Sequence, residues 1–171
     1  MNDFHEDLKF SHDQSKLPIW DLIYNLAFPT FKTMEEIEQD GWAQRAGIDR
    51  LVILESGKII YIDEKVRRKD YDDILIEYWS DEERKKPGWI AKDSACDYIA
   101  YAFLPSKRCY LLPFQQLRKA WKENMTDWVS KYRRVEAQNN GYVTVSVAVP
   151  IEILMADIQK AMVVDYRGDL Q

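Results

Sequence analysis

Apolar residues at Trp20, Ile23, Tyr24 and Ala27 recur at three- and four-residue steps, which predicts a helix stopped by Pro29. Ser15 is placed to cap its start, and Pro18 suits its first turn. Thr33-Met34-Glu35-Glu36 has the form of a capping box and predicts a second, acidic helix running to about Arg45 and ended by Gly47. The pattern then changes. Residues 48–54 and 58–65 read as two strands joined by the tight turn Glu55-Ser56-Gly57, a β-hairpin. A third strand is expected over 74–79, a polar loop over 81–87, and a short strand or turn at Gly88-Trp89-Ile90-Ala91. The apolar runs 98–104 and 108–112 bracket Pro105-Ser106-Lys107 as a second hairpin. From Phe114 to about Arg134, Leu117, Trp121, Met125, Trp128 and Tyr132 fall at helical spacing with basic residues between them. Gly141 breaks that helix, residues 142–149 alternate as a strand, and Pro150 admits a last helix whose core stripe is Ile151, Leu154, Ile158 and Met162. The order of elements predicts a mixed α/β (α+β) domain with a central, mostly antiparallel sheet, and excludes a doubly wound nucleotide fold.

At 171 residues the chain is sized for one domain. The polar segment 1–14 is expected to be loose, with a single domain over 15–171. An apolar fraction of 46% and an aromatic fraction of 13% suffice for a core and exclude wholesale disorder. No run approaches the roughly 18 apolar residues of a membrane span, so no membrane partner is expected. The acidic start Met1-Asn2-Asp3-Phe4-His5-Glu6-Asp7 lacks the apolar core of a signal peptide. Cys96 and Cys109 match no metal or redox spacing and read as reduced thiols of a cytoplasmic protein.

The net charge of −5 argues against a general nucleic-acid binder, but it is unevenly spread. Residues 1–57 hold 5 basic and 11 acidic side chains, 58–134 hold 17 and 13, and 135–171 hold 2 and 5. A basic middle between acidic ends permits a local anion-binding face that the total conceals.

Several common chemistries are missing. No phosphate-binding glycine motif, nucleophile elbow or zinc-protease helix is present. The only histidines, His5 and His12, lie in the loose N-terminal segment, so a histidine-based triad is not expected. The first hairpin is the remaining candidate. Strand alternation puts Asp63 and Lys65 on one side and Ile60, Ile62 and Glu64 on the other. The turn around Glu55–Gly57 pairs residues whose numbers sum to about 112, which sets Asp49 opposite residue 63 within a register step. Two carboxylates and one ammonium then converge at the spacing of a cross-strand pair. Carboxylates that close repel, and a divalent cation resolves the repulsion. Hard oxygen ligands favour Mg²⁺, which binds through one or two carboxylates plus substrate phosphate. Phosphodiester hydrolysis needs those parts and no histidine.

Asp49, a turn, then Asp63-Glu64-Lys65 at a strand end resembles the signature of the PD-(D/E)XK nuclease superfamily. The stretch Gln44-Arg45-Ala46-Gly47-Ile48-Asp49, followed by Tyr61-Ile62-Asp63-Glu64-Lys65 and later by Gly88-Trp89, is similar to a subset of phage and bacterial members. The resemblance covers about residues 35–91, and Ile48 stands where the motif name has proline. It implies a restriction-endonuclease-like fold, a mixed sheet flanked by helices, that cuts DNA with Mg²⁺, Mn²⁺ being the alternative ion. By motif position Asp49 and Asp63 would bind metal, Glu64 would assist through its backbone carbonyl, and Lys65 would organise the attacking water. The family often adds an acidic residue from the preceding helix; Asp40 fits best, with Glu36 and Glu38 as alternatives. Glu77 is a candidate further ligand, and Gln44 a contact to substrate or to a ligand water. Arg50, Arg67, Arg68 and Lys69 flank the site in sequence and are candidates to hold phosphates. With no evident sequence-reading module, such a nuclease would select its target by structure, as a homodimer or through a guiding protein. The alternative reading is a non-catalytic binding or assembly module of phage or mobile-element origin on the same fold. A third, weaker one is an acidic protein that mimics nucleic acid.

Overall fold

The computed structural model describes residues 17–37 and 47–167. The expected cap at Ser15, the loose segment 1–14 and the candidates Glu38, Asp40 and Gln44 lie outside them. The chain is mixed α+β and divides into two compact units, each assembled from separated stretches of sequence.

The first unit comprises Met1–Asp70, Ser94–Pro113 and Ala161–Gln171. Its helix α1 (Ile19–Ala27) stands where the apolar spacing puts it. Its sheet contains β1 (Phe31–Glu36), β2 (Arg50–Leu54), β3 (Ile59–Arg67), then β6 (Tyr98–Phe103), β7 (Arg108–Pro113) and β10 (Met162–Asp165). They lie side by side in that order. β3 and β6 run parallel; the other neighbours are antiparallel. Helix α1 buries Trp20, Ile23 and Tyr24 with Val52, Ile60, Ile62, Ala100, Ala102, Leu111 and Val164 in one core cluster. Burying each large side chain of this kind is worth about 1.5–3 kcal/mol before entropy is counted. Cys109 lies in that core, and both cysteines are free and buried.

The second unit comprises Tyr71–Asp93 and Phe114–Lys160. It holds β4 (Asp73–Asp81), β5 (Lys86–Pro87), α2 (Phe114–Lys131), β8 (Arg134–Asn139), β9 (Tyr142–Pro150) and α3 (Ile151–Asp157), with the strands in the order β5-β4-β9-β8. Helix α2 buries Phe114, Leu117, Ala120, Trp121 and Trp128; of the stripe expected from the spacing, Leu117, Trp121 and Trp128 are buried, whereas Met125 is exposed and Tyr132 lies beyond the helix end. The Trp121 ring lies 5.8 Å from Tyr78 of β4 and 6.3 Å from Trp128. Gly88 follows β5 where its backbone approaches β4. A Cβ there would stand 2.2 Å from the Glu77 carbonyl oxygen, so only glycine fits.

Four sequence expectations are corrected. The acidic helix from Thr33 is, over its described part, strand β1; Met34 pairs with Val52 and Glu36 with Arg50. A capping box is a local signal, whereas β2 presents a row of backbone donors and acceptors that must be satisfied, and β1 satisfies them while packing Met34 on the core. The long basic helix ends at Lys131, and Arg134–Asn139 forms β8, a hairpin with β9 through Gly141 at φ +85°. The last helix closes at Asp157, and Lys160 at φ +60° helps turn the chain so that Met162 opens β10 opposite Leu111. Finally, the described residues form two sheets in place of one central meander.

Candidate functional site

The hairpin of β2 and β3 carries the site. Gly57 takes φ +82° in its turn, a conformation glycine adopts without strain. Arg50 pairs with Ile62, Leu51 with Tyr61 and Val52 with Ile60, the register anticipated from the turn. Just before β2, the Asp49 N–H donates to the Ile62 carbonyl at 2.9 Å. The Glu64 N–H donates to Asp49 Oδ2 at 2.7 Å, which seats the Asp49 carboxylate against the middle of β3.

Strand alternation does the rest. On one face of β3, Lys65 Nζ donates to Asp63 Oδ1 at 2.6 Å, with the two side chains 28% and 11% exposed. The Asp49 carboxylate lies close enough for its charge to act on Asp63. Burial lifts the Asp63 carboxyl most, the Lys65 charge pulls it back, and the Asp49 charge adds to the lift, leaving it at about 6. Asp49, Asp63 and Lys65 therefore form one cluster of two acids and one base.

The opposite face of β3 holds Glu64 in the core beside α1. Arg50 Nε and Nη2 donate to its two carboxylate oxygens at 2.9 and 3.0 Å, and the Tyr24 hydroxyl donates at 2.7 Å. Burial pushes the Glu64 carboxyl up while these donors pull it down; three charge-assisted bonds on two oxygens are the geometry of an ionised pair. Burial and the Glu64 charge hold the Tyr24 hydroxyl well above the usual tyrosine range, so it stays a donor. Removing one partner of such a buried pair costs about 3–5 kcal/mol, because the other charge is left alone. The Glu64 side chain thus anchors β3, and its N–H holds Asp49.

The other sequence candidates are distributed as follows. Arg50 is 4% exposed and engaged with Glu64. Arg67 lies at the end of β3, where its Nη1 donates to the Tyr101 hydroxyl of β6 at 3.2 Å. Arg68 and Lys69 are exposed in the following turn. Glu36 closes β1 opposite Arg50 and contributes a charge that favours the guanidinium. Glu77 belongs to the second unit, where its Oε1 accepts the Trp89 N–H at 3.3 Å. Arg118, Lys119 and Lys122 line a groove of about 310 Å³ along α2.

Tyr24, Cys96 and Tyr101 border this region, and none of the three is marked as a site residue by the sequence pattern. Cys96 is buried within reach of the Asp63 and Lys65 charges, and burial lifts its thiol to about 12, so it stays protonated. Only the pairing of β6 beside β3 brings Tyr101 across from Lys65, and no local signal carries that.

Among the described residues no three or more His, Cys, Asp or Glu side chains group at metal-binding distance. The donors that are together are the two carboxyls of Asp49 and Asp63. The two acids lie close enough for the Asp49 charge to lift Asp63, and two hard oxygen donors fit the number Mg²⁺ takes from protein.

The geometry defines the chain as a mixed α+β protein with a partly buried acid–acid–lysine cluster on one hairpin. Set against protein-family models, curated proteins and solved structures, the chain matches none. No described helix is long and apolar enough to cross a membrane.

Proposed function

We propose that the chain is a Mg²⁺-dependent phosphodiesterase acting on nucleic acid, with DNA as substrate, on a restriction-endonuclease-like core. The observation that carries the proposal is the placement of Asp49 and Asp63 across one hairpin, with the Asp49 carboxylate seated on the Glu64 N–H at 2.7 Å and the Lys65 ammonium 2.6 Å from Asp63. A helix across one face of a mixed sheet supports the fold half of the reading.

Asp49 and Asp63 would hold the cation, with the Glu64 backbone carbonyl on the same strand as a further oxygen donor. Mg²⁺ bound there supplies Lewis-acid polarisation of the phosphate and lowers the pKa of a water, with Mn²⁺ as the substitute ion. Lys65 donates to the oxygen that attacks phosphorus or to the charge that gathers on the phosphoryl oxygens. The water oxygen gives up a proton to solvent and forms the new P–O bond, the ester P–O bond breaks, and the leaving oxygen takes up a proton, so the products are a phosphate monoester and a hydroxyl end. Arg50, Glu64 and Tyr24 keep β3, the strand that carries Asp63 and Lys65, in place from the core side.

The test is calorimetric titration of Mg²⁺ and Mn²⁺ into wild type and Asp63→Ala, with cleavage of a mixed DNA and RNA pool on the same samples. Binding and cleavage in wild type, both lost in the variant, are expected. Metal binding without cleavage would favour the non-catalytic binding module. No metal binding by wild type would overturn the site.

A further inference from the structure

Asp63, Lys65 and Arg67 fall at two-residue steps on β3, whose parallel pairing with β6 is uninterrupted from Ile62↔Tyr98 to Arg67↔Phe103. Residues two apart on a strand share a face. Two bonds establish that face independently of the rule. Lys65 reaches Asp63 at 2.6 Å, and Arg67 reaches Tyr101, the residue directly across from Lys65, at 3.2 Å. The Tyr101 ring packs 5.5 Å from Phe103 on the same strand, and Tyr101 is 3% exposed, so the hydroxyl is a fixed post for the guanidinium. An acid, an ammonium and a guanidinium thus stand in file, roughly 6.6 Å from one backbone position to the next. Successive phosphates along one nucleic-acid strand repeat at a closely similar spacing. The turn after Arg67 adds Arg68 and Lys69, and it is braced by Asp70, whose Oδ1 accepts the Ser106 N–H at 3.1 Å.

We propose that this file reads two consecutive phosphates of a single strand: the scissile one at Asp63 and Lys65, and its neighbour at Arg67, with Tyr101 as the positioning residue of Arg67. The inference rests on the phosphodiesterase reading and deepens it. It makes the substrate an oligonucleotide strand with a phosphate beside the cleaved one, and sets mononucleotides and isolated diesters apart as poor ligands. A guanidinium suits the second position because its planar fork grips phosphate in two places and keeps its charge at any working pH.

The probes are the 5′-phosphorylated thymidine ladder of mono-, di- and trinucleotide, titrated in Ca²⁺ into wild type, Arg67→Gln, Tyr101→Phe and, as a control at an exposed lysine, Lys58→Gln. In wild type, affinity steps up roughly tenfold from mono- to dinucleotide, the worth of one charge-assisted contact. That step disappears in Arg67→Gln, shrinks in Tyr101→Phe and survives in Lys58→Gln. Mononucleotide affinity stays level across all four proteins, a readout that a general folding defect would move. A step of equal size in Arg67→Gln overturns the file while leaving the nuclease reading intact. No step in wild type that nonetheless cleaves DNA does the same. Wild type that binds no member of the ladder and cleaves nothing overturns both. Repeating the ladder with uridine nucleotides separates an RNA strand from a DNA strand.

Discussion

Asp63 is where the chemistry and the stability of the protein conflict. Its carboxyl is raised from 3.8 to about 6, chiefly by burial. A group with a raised folded-state pKa holds its proton more tightly in the folded chain. The stability it contributes is therefore present below about pH 4 and is lost as pH rises through about 6, by up to about 3 kcal/mol. Asp63→Asn removes the titration. Relative to wild type the variant should gain about 2–3 kcal/mol between pH 4 and pH 8, measured by urea unfolding at each pH. A difference that stays flat over that range would mean the carboxyl is not strained when ionised. Under the proposed function, holding Asp63 ionised next to Asp49 is costly, and a bound metal would offset that cost only where both are deprotonated.

At the scale of elements, the hairpin that carries the cluster is set by local chemistry, but other junctions are set by contact. Gly88 shows the difference most plainly. Its backbone N–H donates to the Tyr78 carbonyl at 2.9 Å, and an added methyl would collide with the backbone of Glu77 in β4, which cannot move aside as a flexible side chain would. Gly88→Ala should cost about 1–3 kcal/mol by overpacking. Gly141, at φ +85° with open space around its Cβ position, should accept asparagine within about 0.5 kcal/mol, because Asn tolerates left-handed backbone. The shift in urea midpoint for the two variants checks both. The Gly88-Trp89 pair that first drew notice as part of a nuclease-like pattern thus has a packing role within the second unit. At the other extreme, the strand at Phe31–Glu36 was hidden by its own sequence. Thr33 and the glutamates carry a helix-start signal, and only pairing with β2 overrides it.

At the scale of the whole molecule, the two units are interleaved along the chain, which passes from one to the other at 70/71, 93/94, 113/114 and 160/161. The motif residues sit early, yet β3 gains its second neighbour from residues 98–103, and the core beneath the site takes Leu111, Val164 and Tyr166 from further on. A fragment of residues 1–70 contains Asp49, Asp63 and Lys65 but should not hold them in place. It should show neither a cooperative thermal transition nor dispersed amide resonances, because it lacks half of the core that pins β3. A fragment with a dispersed spectrum and a sharp transition would refute that dependence.

The sequence by itself determined α1, the two hairpins, the Leu117, Trp121 and Trp128 core positions of α2 and the register that sets Asp49 beside Asp63. Each of these follows from a period, a turn glycine or a cross-strand count, signals contained within a few residues. Tertiary structure decided what lies beyond that reach. It made β1 a strand, divided the strands between two sheets, drew Arg50 into the core against Glu64, and put Tyr101 next to Arg67. The physical reason is common to all four: backbone groups and buried charges must find partners, and those partners lie between 14 and 34 residues away in the bonds of Arg50 and Arg67, where no local pattern can announce them.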